Sequence, residues 1–90
     1  MLKNYTEIAV EEVFEEVLAR FRQEKPDMCT CHRCKEDIRA LALNRLPPRY
    51  VATDKGEILT KVAFDLVGGK AHIIAVLWDA MEQVYNKPHR

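Results

Sequence analysis

The chain has 90 residues, of which 48% are hydrophobic and 31% charged, and its 14 Lys/Arg balance its 14 Asp/Glu. A chain of this length forms one domain, residues 1–90, whose own core gives only marginal stability, so a metal or a partner subunit commonly supplements it. The zero net charge argues against a strongly electrostatic DNA binder, and the apolar runs, far shorter than about 20 residues, exclude a membrane span.

The start of the sequence lacks the charged and apolar segments of a secretory leader, so we expect a cytoplasmic protein, in which structural disulfides are rare. Charge is unevenly distributed along the chain. Residues 1–28 contain four Lys/Arg and seven Asp/Glu, whereas residues 29–49 contain five Lys/Arg and two Asp/Glu. This local excess of positive charge suits a small anion better than a polyanion.

The first predicted helix runs from Asn4 to about Glu24. Asn4 is suited to cap it, with Glu7 three positions later, and Pro26 ends it. Apolar residues recur at helical spacing along one side: Ile8, Val10, Val13, Phe14, Val17, Leu18 and Phe21. Glutamates occupy the other side and are interpreted as a solvated face: Glu11, Glu12, Glu15 and Glu16.

Three more helices are predicted, over about Arg33–Asn44, Lys55–Val67 and Ala71–Tyr85. Pro47-Pro48 stops the second helix, and residues 50–52 then continue in an extended form. Asp54 and Glu57 form a capping box for the third helix, and Gly68-Gly69 separates it from the fourth. The β-branched start of the last segment leaves a strand as the alternative. The pattern predicts an all-α domain, a small bundle of about four helices.

These helices carry more apolar surface than one small bundle can easily bury. We therefore expect an intertwined homodimer, because a two-fold interface is the commonest way to bury such a surplus. The residues expected to cover the second copy are Val10, Phe14, Ile74, Trp78 and Met81.

Three cysteines lie within six positions, spaced Cys29-x-Cys31-x2-Cys34. Zinc prefers three or four thiolate or imidazole ligands in a tetrahedron, and Cys34 lies near a helix start, where backbone N–H groups stabilise a thiolate. This favours a structural Zn²⁺ site over ordinary buried thiols or a redox pair at Cys31 and Cys34. The fourth ligand stays open between a partner chain and three side chains: Asp37, His32 and His72.

Basic residues follow the cysteines. Lys35 and Arg39 are four positions apart and share a helix face, and Arg45 and Arg49 come next. One interpretation is structural, with solvated arginines, helix-stopping prolines and Tyr50 packed in the core. The other is a binding site, because a proline-fixed backbone is pre-organised and guanidinium groups match phosphates and guanine edges.

A nucleotide pocket in this region would use further polar side chains. Asp37 is suited to accept hydrogen bonds from the amino group of guanine. Three residues follow closely enough in the sequence to complete the pocket: Thr53, Thr60 and Lys61.

The run CTCHRCKEDIRALALNRLPPRYV, followed by TDKGE and TK, resembles the late competence development protein ComFB family. The resemblance lies in a cysteine cluster, a helix of pattern D-[IV]-x-A-[LY]-[AS]-L-N and a turn of pattern L-x-P-x-Y-[VF]. It covers most of the chain and is most specific between Met28 and Val51. It implies a small all-helical homodimer with zinc bound by cysteines, here Cys29, Cys31 and Cys34. One departure matters: where a family member offers four cysteines, this chain has three, so another residue completes the zinc site or the site is absent.

The same resemblance implies a ligand. Some members of the family are receptors for cyclic di-GMP and are tied to competence, pili and motility. The nucleotide contacts that the resemblance implies for this chain are Asp37, Arg39, Asn44, Leu46, Pro47, Pro48, Arg49 and Tyr50. Two nearby lysines, Lys35 and Lys61, are further candidate ligand-binding residues. Cyclic di-GMP carries two phosphates and two guanines in a two-fold molecule, so a two-fold dimer would present paired Arg and Asp side chains to it.

The sequence contains no Ser-His-Asp arrangement, Gly-rich phosphate loop or paired catalytic carboxylates, so we do not expect an enzyme. His72 lies in an apolar segment and is interpreted as a packed core residue, and His89 lies in a tail. The leading function is that of a cyclic di-GMP receptor that signals to an unknown downstream protein. The alternative is a zinc-stabilised protein–protein adaptor without a nucleotide ligand, and DNA binding is the least favoured class.

Overall fold

A computed structural model of the protein describes residues 1–87, and His89 lies outside the described residues. The chain order is β1 (Lys3–Asn4), α1 (Tyr5–Glu24), α2 (His32–Arg45), β2 (Tyr50–Val51), α3 (Asp54–Leu66) and α4 (Gly69–Asn86). The prediction of an all-α domain with four helices is confirmed. The strand alternative for the last segment is wrong, since this segment is helical from Gly69 to Asn86.

Two short strands complete the described part of the chain: β1 was not predicted, whereas β2 lies within residues 50–52, which were predicted to be extended. β1 and β2 pair antiparallel, with Lys3 opposite Val51 and Asn4 opposite Tyr50. This ladder joins the start of α1 to the segment that follows α2. None of the helices within residues 1–87 has the length and hydropathy that crossing a membrane requires.

Asn4 caps α1 as predicted, because its Oδ1 accepts a hydrogen bond from the Thr6 amide at 3.1 Å. The cap of α3 differs from the prediction. Thr53 precedes the helix and its Oγ1 accepts from the Gly56 amide at 2.9 Å, whereas Asp54 is the first helical residue. Both Thr and Asp are good caps, so neighbouring candidates differ only in where the backbone leaves its extended conformation.

The core forms where α4 packs against α1 and α2. Its largest fully buried side chains are Phe14, Phe21, Ile38, Ile73, Leu77, Met81, Val10 and Cys34. Aromatic rings close one end: Phe21 meets Trp78 edge to face at 5.0 Å and Tyr85 at 6.0 Å between ring centroids.

The predicted dimer face is wrong for three of its five residues, and for Ile74 and Trp78 it stays a prediction. Val10, Phe14 and Met81 are 0–1% exposed within a single chain, and Ile74 and Trp78 are half-buried against the same core. The helical periodicity correctly identified an apolar face, but α4 of the same chain covers it. The exposed apolar surface lies on α3 instead.

α3 carries apolar residues on the side that faces away from the core. Phe64 is its buried residue, whereas large apolar side chains on the opposite side are between 52% and 81% exposed. The α3 stripe comprises these residues and the exposed C-cap residue of the helix: Ile58, Leu59, Val62 and Leu66 of α3, and Val67.

Two adjacent glycines set the approach of α3 to α4. Gly68 has φ = 72°, a left-handed conformation that glycine adopts without strain. A Cβ added at Gly69 would lie 2.4 Å from a ring carbon of Phe64. Gly69 thus lets α4 start directly against that ring, two residues before the predicted start at Ala71.

Candidate functional site

The turn after α2, residues 46–50, is fastened to the start of α1 by three hydrogen bonds. Thr6 Oγ1 donates to the Pro47 carbonyl at 2.8 Å. The Arg49 amide donates to Asn4 Oδ1 at 2.8 Å, and the Arg49 carbonyl accepts from the Tyr5 amide at 2.6 Å. Together with the two prolines, these bonds fix the backbone of the turn before any ligand arrives.

The turn presents its side chains to solvent. Pro47 and Pro48 are exposed and Tyr50 is 66% exposed, so the interpretation of Tyr50 as a core residue is wrong. Leu46 is buried and anchors the turn. The Arg49 guanidinium lies over the Phe64 ring at 5.2 Å from its centroid.

A small cavity of about 140 Å³ lies beside this turn, and Leu46, Pro47 and Arg49 contribute to its wall together with His72. His72 is exposed there, which corrects the prediction of a packed core residue. It stands on the first turn of α4, where the sequence is apolar but the face is not covered.

The three cysteines come together at the start of α2. Cys31 is the N-cap residue, and its Sγ accepts from the Cys34 amide at 3.4 Å. The sulfur atoms of Cys29, Cys31 and Cys34 all lie within 4.8 Å of one another, and the three side chains are half-buried, exposed and buried, respectively. A tetrahedral zinc with Zn–S bonds of about 2.3 Å holds its sulfurs about 3.8 Å apart. The cluster therefore fits such an ion after small side-chain rotations.

The surroundings favour a thiolate at Cys31. The Cys34 N–H donor is the main cause that lowers the pKa of the Cys31 thiol, burial acts against it, and contacts with the Cys29 and Cys34 side chains lower the pKa further. A thiolate is the form that binds metal, so this electrostatic environment suits a cation.

No histidine or carboxylate joins the three sulfurs within residues 1–87. His32 Nε2 instead lies 3.4 Å from Glu36, with its side chain 89% exposed. Asp37 lines a groove between α2 and α4. His72 lies at the opposite end of α2, beside Leu46, roughly 20 Å away at 1.5 Å per helical residue. That distance excludes His72 of the same chain as the fourth ligand.

Two of the predicted ligand-binding cations pair with α1. Arg39 donates to both carboxylate oxygens of Glu11 at 2.5 and 3.2 Å, and its guanidinium lies 4.1 Å from the Phe14 ring centroid. Lys35 Nζ lies 3.3 Å from Glu15. All four glutamates of the row are exposed, as predicted, and Glu11 and Glu15 in addition pair with α2, which packs alongside that face.

The remaining predicted ligand residues are divided between separate places. Asp37 and Asn44 line a groove of about 520 Å³ between α2 and the end of α4. Lys61 lines another cavity, of about 250 Å³, against α1. The turn brings together Leu46, Pro47, Pro48, Arg49 and Tyr50.

Sequence reasoning missed two residues that shape this site. Asn4 was predicted only as a helix cap and Thr6 was not singled out, yet both hold the turn from 41 to 45 residues away. No short-range pattern signals such contacts.

Comparison with known proteins places this architecture in a family. A sequence model described as "Late competence development protein ComFB" matches residues 3–88. The "Competence protein ComFB" of Bacillus subtilis (strain 168) is 39% identical over 61 residues, which are 68% of this chain and 58% of that relative. The chain thus matches somewhat more than half the length of this curated relative.

The fold agrees as well. A solved structure, described as the structural characterization of the late competence protein ComFB from Bacillus subtilis, superposes with a TM-score of 0.82 and 28% sequence identity. The alignment covers 99% of this chain and 93% of the solved one. The cysteine cluster, the proline turn and the four helices thus belong to a member of the ComFB family of late competence development proteins.

Proposed function

We propose that this protein is a receptor for a cyclic dinucleotide, cyclic di-GMP in the first place, in signalling linked to competence, pili and motility. The observation that carries the proposal is the turn at residues 46–50, which three hydrogen bonds fasten to α1 while Tyr50 stays 66% exposed. A rigid backbone that displays a guanidinium and an exposed aromatic ring loses little conformational entropy when it binds a nucleotide.

The chemistry of the turn matches such a ligand. The Arg49 guanidinium suits a phosphate, and its present contact with Phe64 at 5.2 Å is weak enough to be exchanged for that anion. The exposed Tyr50 ring suits stacking on a guanine, as aromatic side chains do in many nucleotide sites. Lys35 and Arg39 are engaged by Glu15 and Glu11, so their use by the ligand requires those ion pairs to open.

We also propose that the three cysteines hold a structural Zn²⁺. The metal would link the loop after α1 to the first turn of α2. It would thereby stabilise the helix that precedes the turn at residues 46–50, called the ligand turn. The fourth position would be filled by His32 after a side-chain rotation, by Asp37, by a group from a partner chain, or by a water molecule. We expect the protein to act in the reducing cytoplasm, where a zinc–thiolate site is stable. The zinc would be structural and not catalytic.

We still propose a homodimer, but with the α3 stripe as its interface. The α3 stripe exposes four large apolar side chains on α3 and a fifth, Val67, at its C-cap. Contiguous apolar patches larger than a few hundred Å² mark interaction sites. Two copies pairing through this stripe would bury it and would give a two-fold receptor for a two-fold ligand. A downstream protein would then read the ligand-dependent state of the dimer.

The decisive experiment is isothermal titration of the zinc-loaded protein with cyclic di-GMP, cyclic di-AMP and linear pGpG. We expect saturable binding of one cyclic dinucleotide and at least about tenfold weaker binding by Arg49→Ala, since a charged hydrogen bond contributes about 1.5–3 kcal/mol. Arg33→Ala, at an exposed arginine on the first turn of α2, is the matched control. Absence of heat with every dinucleotide would reject the receptor.

One observation favours a second candidate, a zinc-stabilised adaptor without a nucleotide. The α3 stripe is solvent-exposed and would serve as a docking face without any small ligand. If the protein is an adaptor, a pull-down should capture the same partner through this face from lysate with or without its nucleotides. In the receptor, capture changes when cyclic di-GMP is added.

A further inference from the structure

A polar cavity of about 250 Å³ lies between α1, α3 and the start of α4. It shares two apolar wall residues, Phe64 and Ile73, with the cavity beside the turn. Its polar lining consists of one phenol, two lysines and two carboxylates: Tyr5, Lys61, Lys70, Glu12 and Asp65. Neither the ligand turn nor the cysteine cluster contributes to it.

Tyr5 is the feature that makes this cavity unusual. The residue is 2% exposed, and its hydroxyl has no hydrogen-bond partner among residues 1–87. Within the same residues, every side-chain oxygen that is inaccessible to solvent has a hydrogen-bond partner. The Tyr5 hydroxyl must therefore be accessible to solvent, and the cavity that Tyr5 lines provides this access. Burial is the main cause that raises the pKa of Tyr5, so this phenol is a protonated donor at neutral pH.

The four charged side chains that line the cavity are solvent-exposed, and the structure shows no counter-ion for them among residues 1–87. In the described part of the chain, no ion pair within 4.0 Å involves Lys61, Lys70, Glu12 or Asp65. Lys61, Glu12 and Asp65 are nevertheless close enough to act electrostatically on the Tyr5 phenol. α4 begins beside them at Gly69 with neither a side-chain cap nor an acidic residue in its first turn, so its first amides add positive potential.

We propose that this cavity binds a small zwitterion of the amino-acid type, with one carboxylate and one ammonium group. Lys61 and Lys70 hold the carboxylate, which the positive potential at the start of α4 also favours, and Tyr5 donates its hydroxyl hydrogen to it. Glu12 and Asp65 face the ammonium group. The site is independent of the dinucleotide, and it gives Lys61 a different ligand from the one expected from the sequence.

Charge and size select this class of ligand. A simple anion would meet two carboxylates and a simple cation two lysines, whereas a zwitterion satisfies both pairs. At about 30 Å³ per water molecule, the cavity has room for roughly eight non-hydrogen atoms. This matches a small amino acid and excludes a whole dinucleotide.

The test is a nuclear magnetic resonance titration of the zinc-loaded 90-residue protein with glycine, L-alanine and L-serine. Glycolate and ethanolamine serve as matched probes, since each carries only one of the two charged groups of serine. We expect at least one amino acid to shift the amide signals of Lys61 and Lys70 saturably, with a dissociation constant of about 1 mM or below. Glycolate and ethanolamine should bind at least about tenfold more weakly. No saturable shift with any of the three amino acids, or glycolate binding as tightly as serine, would overturn the proposal.

Variants then locate the site. Tyr5→Phe keeps the ring in the core, and it should weaken amino-acid binding several-fold, as should Lys61→Gln and Lys70→Gln. Lys55→Gln, at an exposed lysine on α3 outside the cavity, should bind like the wild type. Unchanged affinity in both Lys61→Gln and Lys70→Gln would place the ligand elsewhere and reject the site. Cyclic di-GMP titrations of the same variants report separately on the turn, so failure at either site leaves the other testable.

Discussion

Asn4 Oδ1 accepts a hydrogen bond from the amide of Arg49, 45 residues further along the chain, at 2.8 Å. The same oxygen accepts from the Thr6 amide at 3.1 Å. One side chain therefore caps α1 and positions the arginine of the ligand turn, which couples the stability of the first helix to the geometry of the candidate site.

We predict that Asn4→Ala lowers the free energy of unfolding by about 1–2 kcal/mol, because it removes a helix cap and a second hydrogen bond. Urea denaturation measures this change. Asn4→Asp keeps an acceptor oxygen at the same place and should stay within about 0.5 kcal/mol of the wild type. If Asn4→Ala were as stable as Asn4→Asp, the side chain would not hold the turn.

Local patterns predicted much of this fold. The four helices followed from apolar periodicity and from Pro26, Pro47 and Gly68, and the spacing of the cysteines placed three sulfurs together because that contact lies within six residues. The contacts of Asn4 with Arg49 and of Arg39 with Glu11 could not be predicted, since they depend on how helices pack. Periodicity also showed that Phe14 and Met81 must be buried, but not that the same chain buries them.

A second prediction concerns the pair that joins α1 to α2. The Arg39 side chain is 23% exposed and Glu11 54%, so solvent screening limits the bidentate contact. A double-mutant cycle with Arg39→Ala and Glu11→Gln should give a coupling of about 1 kcal/mol in low salt and less in 1 M NaCl. Glu16→Gln, at an exposed position of the same helix, should show no coupling to Arg39. A coupling of zero would mean that the pair does not position α2.

The thiol cluster leads to a pH-dependent prediction for the zinc-free protein. Because the pKa of Cys31 is lowered from its ordinary value of 9.0 and its side chain is exposed, iodoacetamide should modify Cys31 before Cys29 and Cys34. The midpoint of its rate against pH should lie below 9.0 and should return toward that value in urea. Mass spectrometry of peptides measures this order.

The sign of the accompanying stability change is fixed. A depressed pKa in the folded state stabilises the zinc-free protein at pH values above the unfolded pKa, and this stabilisation is lost as the pH falls through the folded pKa. Zinc binding should weaken in the same direction, since protons compete for the thiolates. A modification midpoint equal in folded and urea-treated protein would contradict a lowered pKa of Cys31 in the folded state.

The α3 stripe leads to a prediction about assembly. Val62→Glu places a charge at the centre of the stripe and should convert a dimer into a monomer without loss of helicity, because Val62 is already 52% exposed in the single chain. Analytical ultracentrifugation measures the mass, and circular dichroism measures the helical content. Ala19→Glu, an exposed position on α1, should leave the mass unchanged. If the wild-type protein sediments as a single species of 10.4 kDa, the mass of one chain, the homodimer is rejected.

The adjacent glycines between α3 and α4 should respond differently to alanine. At Gly69 a Cβ would lie 2.4 Å from the buried Phe64 ring, so Gly69→Ala must move α4 away from α3 and should cost about 2–3 kcal/mol of stability. At Gly68 no atom lies within 4 Å of an added Cβ, and Gly68→Ala meets only the left-handed φ of 72°, a cost of about 1 kcal/mol. Chemical denaturation of the two variants gives the order directly. If Gly69→Ala were the more stable of the two, α4 would not pack closely against Phe64. The ring would then not line the two cavities in the position that the structure gives it.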